Sequence, residues 1–349
     1  MNARRLRHLA VWPALLLTLP LAAATALAQE DTPSPSQDEK IPASALTTRS
    51  VQAVGYQVGA GSTKVSLVPT DLVPSAQGDA KVEIKSKADR ATVEVDVSGL
   101  KPANTLGAEF LTYVLWAVTP EGRTSNLGEM VPNKKGDGKL STTTPAQAFS
   151  LIVTAEPYFA VHTPSEMVVL QSEPGKKTKG KIFPVAEYKL MRRAQYEKMG
   201  NPLALTLDPK IPLWVYQARN AVEVAKSRQA EKFAPEVLTK AEGSLQMMEN
   251  SLASHDKNAT LSNARQTIQF AEDARALSVQ RQDQQRIANE KAEAAARARA
   301  EAEAKAAQEA ALAKQKSDAE AAAAAVEAQR QQDAAAARLA SEAAARQKA

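Results

Sequence analysis

Side chains that could perform chemistry are few in this sequence. It contains no cysteine and three histidines, His8, His162 and His255, so it offers no thiolate nucleophile, no disulfide and no cluster of imidazole ligands. The motifs of phosphate-binding loops, α/β-hydrolases, zinc proteases and EF-hands are absent. Glu94 and Asp96 share one face of a predicted strand, but nothing indicates the cleft that a glycosidase pair needs. The sequence therefore predicts no enzyme, no metal site and no cofactor.

Four aromatic residues are the candidates for ligand contact: Tyr113, Trp116, Tyr158 and Phe159. With exposed rings, they could bind a glycan or a peptide. Aromatic residues at strand positions can also belong to the hydrophobic core. Both interpretations stay open at this stage.

The elements that must position these aromatics have the pattern of strands. In residues 91–97, Val93, Val95 and Val97 alternate with polar residues, as expected for a half-buried strand. Turn residues separate similar segments, which predicts strands at 51–58, 63–68, 81–85, 91–97, 110–118, 123–131, 148–155 and 166–171. We expect residues 49–172 to form one immunoglobulin-like antiparallel β-sandwich, without the usual inter-sheet disulfide.

The following residues change from strand to helix periodicity. Residues 173–212 are predicted to be a basic linker with a short helix, and residues 213–280 a bundle of three antiparallel helices. Its helices begin near Pro212, Pro235 and Asn258, and apolar residues recur at three- and four-residue steps. The predicted fold class is therefore multi-domain, β and then α.

Residues 281–349 predict an extension of the third helix into a long rod. Of the last 58 residues, 29 are alanine, and Glu, Lys, Arg and Gln fill most other positions. These residues have high helix propensity. Large apolar residues such as Leu312, Val326 and Leu339 are too sparse for the seam of a strong coiled coil.

The N-terminal residues predict export. Residues 1–28 combine three arginines, an apolar run and the sequence Ala26, Leu27, Ala28, which is typical of a cleavable signal peptide. The alternative is a retained membrane anchor. Residues 29–48 are predicted to be a disordered leader. The formal net charge is +5, and basic residues are interspersed with acidic ones, which disfavours nucleic acid as a partner.

Residues 111–129, LTYVLWAVTPEGRTSNLGE, and 149–161, FSLIVTAEPYFAV, are similar to the N-terminal β region of envelope proteins of the bacterial OmpA-like family. Residues 218–276, with the junction FAPEVL at 233–238, resemble a small helical domain found in them and in related lipoproteins. No residue of this sequence corresponds to the C-terminal OmpA-like domain, which binds the diaminopimelate of peptidoglycan through an Asp and an Arg.

The sequence and the resemblance together predict a periplasmic or outer-envelope protein without enzymatic activity. In this hypothesis, the β-domain anchors or recognises, the helices orient, and the rod spans distance. Two alternatives are a glycan- or peptide-binding module that uses the four aromatics and an assembly protein that oligomerises through its helices. The expected partners are other envelope proteins, peptidoglycan or outer-membrane components.

Overall fold

The computed structural model describes residues 46–87, 89–176, 178–197 and 207–348. The predicted signal peptide at 1–28 lies outside these residues. So does the predicted leader at 29–48, except for residues 46–48, which open the first strand.

The N-terminal half of the described chain forms one antiparallel sheet. The described residues contain ten strands: β1 (Leu46–Gly55), β2 (Thr63–Pro69), β3 (Gln77–Glu83), β4 (Ala91–Ser98), β5 (Thr112–Val118), β6 (Thr124–Met130), β7 (Gly138–Thr144), β8 (Ala148–Glu156), β9 (Val168–Glu173) and β10 (Lys181–Met191). Along the main path of the sheet, the strands lie side by side in the order β10, β1, β8, β9, β2, β3, β4, β7. This arrangement confirms the predicted β-rich N-terminal part.

Strand β8 is the branch point of the sheet. It pairs with β5 from Ser150 to Glu156, with β1 at its first residues and with β9 from Ile152 to Thr154. Strand β6 extends the sheet on the other side of β5. Every residue of β5 and all but the first of β8 are buried, so these two apolar strands form the centre of the core.

Two strands have no counterpart in the sequence-based prediction. Strand β7 buries only its first and last residues, Gly138 and Thr144, so it has no apolar alternation to detect. Strand β10 lies where a linker was predicted and pairs along β1. Its pattern is obscured by Pro184 and by a register shift between Arg49 and Val51 of its partner. Of the short helix predicted in this linker, the described residues show Ala194–Glu197.

The C-terminal half of the described chain is helical. The described residues contain α1 (Ala194–Glu197), α2 (Leu213–Ser227), α3 (Ala230–Phe233), α4 (Pro235–Ala253) and α5 (Lys257–Lys348). Pro212 precedes α2 and Pro235 opens α4, where the missing N–H costs no helical hydrogen bond. Most residues of the predicted apolar stripes are buried: in α2 they include Val215, Ala218, Val222 and Ala225, and in α5 they include Ala264, Ile268, Ala271 and Ala274.

Helix α5 runs without interruption for 92 residues. At about 1.5 Å per residue, its length is on the order of 140 Å. The helix is buried against other elements only near its start, and every residue from 288 to 346 is exposed. The prediction that the chain ends in a long helix is therefore confirmed. None of the helices among the described residues is both long and apolar enough to cross a membrane.

Candidate functional site

The base of α5 contacts the β-domain through a set of buried and half-buried polar side chains that we call the junction. Its residues come from strand β6 and from loops at one end of the sheet, and from helices α2 and α5. They are Glu109, Glu129, Tyr158, His162, Trp214, Gln217, Glu272 and Arg275.

Glu272 is the most heavily bonded carboxylate of the junction, and its side chain is fully buried. Tyr158 Oη donates to Glu272 Oε2 at 2.6 Å, and the backbone N–H of His162 donates to Oε1 at 2.9 Å. Arg275, one turn further along α5, donates from Nε and Nη2 at 2.7 Å each. His162 Nδ1 lies 3.5 Å from Oε1. The carboxylate thus connects the loop after β8 to the long helix.

Electrostatics favour the ionised form of this carboxylate. Burial alone would raise the pKa of Glu272, but the positive charge and hydrogen bonds of Arg275, with smaller contributions from His162 and Tyr158, lower it. Burial, with the negative charge of Glu272 beside the phenol, raises the pKa of Tyr158 well above its usual value. Tyr158 is therefore a neutral donor and Glu272 a charged acceptor.

A second carboxylate, Glu129 on β6, holds the start of α2. It accepts hydrogen bonds from Thr112 Oγ1 at 2.7 Å, Trp214 Nε1 at 2.7 Å and Gln217 Nε2 at 2.6 Å. Gln217 is fully buried, and its Oε1 accepts from the backbone N–H of Phe159 at 2.9 Å. One glutamine side chain therefore bridges two segments of the β-domain.

A cation covers the aromatic side of this contact. The guanidinium of Arg265, on α5, lies 5.0 Å from the ring of Trp214 and 5.7 Å from the ring of Phe159. Cation–π contacts of this kind stabilise by about 0.5–2 kcal/mol. Arg265 thus joins α5, α2 and the loop after β8.

A third carboxylate, Glu109 in the loop before β5, binds Arg193, two residues after the end of β10. Arg193 Nε lies 2.6 Å from Glu109 Oε1, and the backbone N–H of Arg193 donates to Glu166 Oε1 at 2.6 Å. Asn220 of α2 lies 3.5 Å from the backbone oxygen of Glu109. The chain segment that leads from β10 to the helices is therefore fixed where it leaves the sheet.

A fourth carboxylate, Glu156, is enclosed in the β-domain itself. Its Oε1 accepts from the backbone N–H of Ser165 at 2.7 Å and from Thr154 Oγ1, which in turn accepts from Trp116 Nε1 at 2.8 Å. Oε2 has no partner among the described residues. Burial, together with the charge of Glu272, raises the pKa of Glu156 to about 8 against the opposing effect of these hydrogen bonds.

Ion pairs on the outside of the helices hold them to each other. Three of them cross between helices: Arg219 with Glu249 at 2.7 Å, Lys226 with Glu242 at 2.8 Å, and Arg281 with Glu236 at 2.8 Å. In addition, Ser278 and Gln282 of α5 donate to the backbone oxygen of Arg228 at 2.5 and 2.6 Å. The segment of α5 just before its fully exposed part is thus attached to the shorter helices beside it.

The four aromatics proposed as ligand contacts do not form an exposed surface. Tyr113, Trp116 and Tyr158 are fully buried, and Phe159 is half-buried. Tyr113 donates to the backbone oxygen of Lys101 at 2.8 Å, while Trp116 and Tyr158 make the bonds described above. Only Tyr158 and Phe159 come together, at the junction. Their rings pack inside the protein because they lie on or directly after strands β5 and β8, the most buried of the sheet.

The chemistry of the junction is that of a fixed contact. The carboxylates of Glu109, Glu129 and Glu272 already accept hydrogen bonds from donors of the chain itself. Among the described residues, no three His, Cys, Asp or Glu side chains form a group that could hold a metal ion. The arrangement can therefore position the helices and resist their displacement.

Sequence reasoning missed most of the junction, although one signal for it exists. Ile268, Glu272 and Arg275 stand at i, i+4 and i+7, so two charged residues occupy the inward stripe of a helix. Charges at such positions are rarely buried unless they are paired. The partner Glu129 gives no comparable signal, because it lies in the mixed segment TSNLGEM, whereas Gln217 lies among the apolar residues of α2.

Comparison of the sequence with protein-family models and with curated proteins found no match. The junction and the long helix are therefore interpreted from their own geometry.

Proposed function

We propose that this chain is a non-enzymatic structural protein of the bacterial cell envelope. In this proposal, the β-domain anchors the molecule or recognises a component of the envelope. Helices α2, α4 and the start of α5 act as a three-helix bundle that sets the direction of the rod. The remainder of α5 is a spacer.

The observation that carries the proposal is the contrast between the two parts of α5. At its base, Glu272 and Arg275 are buried with side-chain exposures of 0% and 6%. Beyond residue 287, no described residue up to 346 is buried or half-buried. A helix that is fixed at one end and solvated along its length suits the separation of two attachment points.

The composition of the free part supports a stable single helix. Arg286 lies 2.5 Å from Asp283 and 2.6 Å from Glu290, and Arg297 lies 3.9 Å from Glu293. Such i, i+3 and i, i+4 pairs add a few tenths of a kcal/mol each. Alanine supplies the rest through its helix propensity.

The finer fold and the location belong to the same proposal. We interpret the ten-stranded sheet as an immunoglobulin-like sandwich, because its branch at β8 lets two layers share one core. The envelope location is supported by the signal-like residues 1–28 and by the resemblance of residues 111–129 to OmpA-like family proteins. Expected partners are other envelope proteins, peptidoglycan or outer-membrane components.

Pulsed electron paramagnetic resonance can test the spacer directly, because the chain has no native cysteine. Spin labels on Gln284→Cys and Ser317→Cys are 33 residues apart, and we expect a narrow distance distribution near about 50 Å. A second pair, Ser317→Cys with Ser341→Cys, should give about 36 Å.

Singly labelled chains serve as controls, because any distance they show comes from contact between copies. Broad distributions, or a distance well below that of a helix, would contradict the spacer. A narrow distribution in doubly labelled chains with none in singly labelled chains would support a monomeric rod.

A further inference from the structure

Three loops meet at the end of the sheet opposite the junction. Their described residues are 56–62, 84–87 with 89–90, and 174–176 with 178–180. The backbone N–H of Gly59 donates to the oxygen of Ile84 at 2.7 Å, and Thr178 Oγ1 lies 3.5 Å from the oxygen of Lys64. Lys181 pairs with Gly55 at the end of β1. This end lies about 25 Å from the junction, the length of β8 at about 3.3 Å per residue.

Positive charge dominates this end of the sheet. Residues 84–90 and 173–181 contain six lysines and one arginine against two acidic residues. The five lysines whose placement is described are all exposed: Lys85, Lys87, Lys176, Lys179 and Lys181. No carboxylate among the described residues forms an ion pair with them. Their charge is therefore available to a partner.

Apolar side chains stand among these lysines. Val58 is 49% exposed and Ile182 is 39% exposed. Val58 lies on a loop whose tip turns through Gly59 and Gly61, with φ of 74° and 76°. Lys181 Nζ lies 5.0 Å from the centre of the Phe183 ring, so the aromatic side chain sits under a cation. We call the five lysines with Val58 and Ile182 the basic end.

We propose that the basic end docks on an anionic phospholipid surface. Lysines near a negatively charged membrane contribute about 1 kcal/mol each, and exposed apolar side chains add affinity by entering the boundary between headgroups and acyl chains. This inference rests on the proposed anchoring role of the β-domain and names the component that it contacts.

The side chains of the basic end fit a lipid better than a nucleic acid. Single-stranded nucleic acids are held by aromatic rings on which bases stack, beside a positively charged groove. The aromatic residues of this end among those described are Tyr56 and Phe149, which are buried, and Phe183, which is half-buried under Lys181. Two aliphatic side chains are exposed instead. The docked orientation would place the junction and the base of α5 on the side away from the membrane.

Vesicle co-sedimentation of the full chain, purified after export, tests this inference. The vesicles contain phosphatidylcholine alone or with about 30% phosphatidylglycerol, so that the two preparations differ in surface charge. We expect binding only to the anionic vesicles, weakened by salt. The triple variant Lys176→Gln, Lys179→Gln, Lys181→Gln should bind on the order of 100-fold more weakly.

The matched control removes the same charge elsewhere. Lys101, Lys134 and Lys135 are exposed on loops at the junction end, and their triple change to glutamine should leave binding near that of the unchanged chain. Equal loss in both triple variants would overturn the proposal, because net charge alone would then explain binding. So would equal binding to neutral vesicles, or tighter binding to an anionic oligonucleotide than to vesicles.

The apolar contribution has its own variant. Val58→Ser with Ile182→Ser should lower binding at high salt by several-fold, since apolar insertion is not screened. Val131→Ser, at a residue that is 51% exposed at the other end, is the control and should have no effect. Unchanged binding of the double variant would overturn the part of the proposal that concerns insertion.

The same preparations separate this inference from the spacer. An extended rod by spin-label distances without binding to anionic vesicles would refute the lipid contact and leave the spacer. Binding by a chain whose labelled helix is short or broken would refute the spacer and retain the lipid contact.

Discussion

Glu272 and Arg275 hold opposite charges in a place without access to water. Removing one partner of such a pair leaves the other charge buried and uncompensated, at a cost of about 3–5 kcal/mol. We therefore predict that Glu272→Gln lowers the free energy of unfolding by that amount, measured by urea denaturation. The loss combines the charge pair with Arg275 and the hydrogen bonds that Tyr158 and the backbone N–H of His162 donate to this carboxylate.

The control for this variant is Glu249→Gln. Glu249 pairs with Arg219 in a bidentate contact, but their side chains are 35% and 28% exposed. Partly solvated pairs contribute about 0–1 kcal/mol, so this variant should lose little stability. A similar loss in both variants would argue against a buried electrostatic contact at the base of α5.

The buried carboxyl group of Glu156 should make the free energy of unfolding depend on pH. Its pKa is raised to about 8 in the folded chain, above the ordinary glutamate value of 4.5, so the folded state binds the proton more tightly than the unfolded state. The stability that this group contributes is present at acid pH and is lost as pH rises from about 4.5 to about 8. Its slope there is about 1.4 kcal/mol per pH unit. Glu156→Gln should abolish this slope in denaturation series.

Two comparisons define the pH experiment. Glu272 has a lowered pKa, so its contribution is lost only as pH falls below its unfolded value, outside the window of Glu156. Glu173→Gln changes an exposed carboxyl group and should leave the slope between pH 5 and pH 8 (roughly the window of Glu156) unchanged. Persistence of the slope in Glu156→Gln would assign it to another group.

The residues of the candidate site were only partly predictable, for a physical reason. Trp116 and Tyr113 could be placed on strands by their neighbours, but a buried aromatic and an exposed one give the same local pattern. Glu272 could have been noticed on its apolar stripe. Glu129 could not, because the partners that fix it are 17 to 88 residues away and no local periodicity records such contacts.

Among the elements, α2 depends on Gln217 for its attachment to the β-domain. This fully buried side chain satisfies both Glu129 and the backbone N–H of Phe159. Gln217→Leu fills a similar volume but takes this partner from the backbone N–H of Phe159 and removes one of the three donors to Glu129, at about 1–3 kcal/mol for each of the two groups. We predict a loss of about 2–4 kcal/mol by urea denaturation, with a change in Trp214 fluorescence. Gln246→Leu, on the exposed side of α4, is the control and should change neither.

The elements differ in how well sequence alone predicts them. Helices α2, α4 and α5 were found because their apolar stripes repeat over three or more turns, and β4 because its valines alternate without interruption. Strands β7 and β10 are edges of the sheet, where only one neighbour supplies hydrogen bonds and burial is incomplete. Their residues therefore need no regular alternation, and tertiary pairing rather than local pattern determines them.

At the scale of the whole molecule, the free part of α5 should be independent of the folded part. Ala310 lies where every neighbouring residue is exposed, so Ala310→Pro should break the helix at a local cost of about 3 kcal/mol without changing the urea midpoint of the remainder. Labels at positions 284 and 317 should then give a shorter or broader distance. Ala310→Ser keeps the helix and should keep the distance. A lowered midpoint in the proline variant would mean that the rod contacts the folded part.

The oligomeric state decides between a spacer and an assembly helix. Leu312, Val326 and Leu339 are 57%, 55% and 68% exposed, and they are the only large apolar side chains on the described part of α5 beyond residue 288. A coiled coil needs apolar residues in every heptad, whereas alanine and ion pairs suffice for a single helix. We predict that changing all three to alanine preserves the helical circular dichroism signal and a monomeric mass in sedimentation. If the unchanged chain sediments as a dimer and the triple variant as a monomer, these three residues form an interface and the spacer must act as a pair of helices.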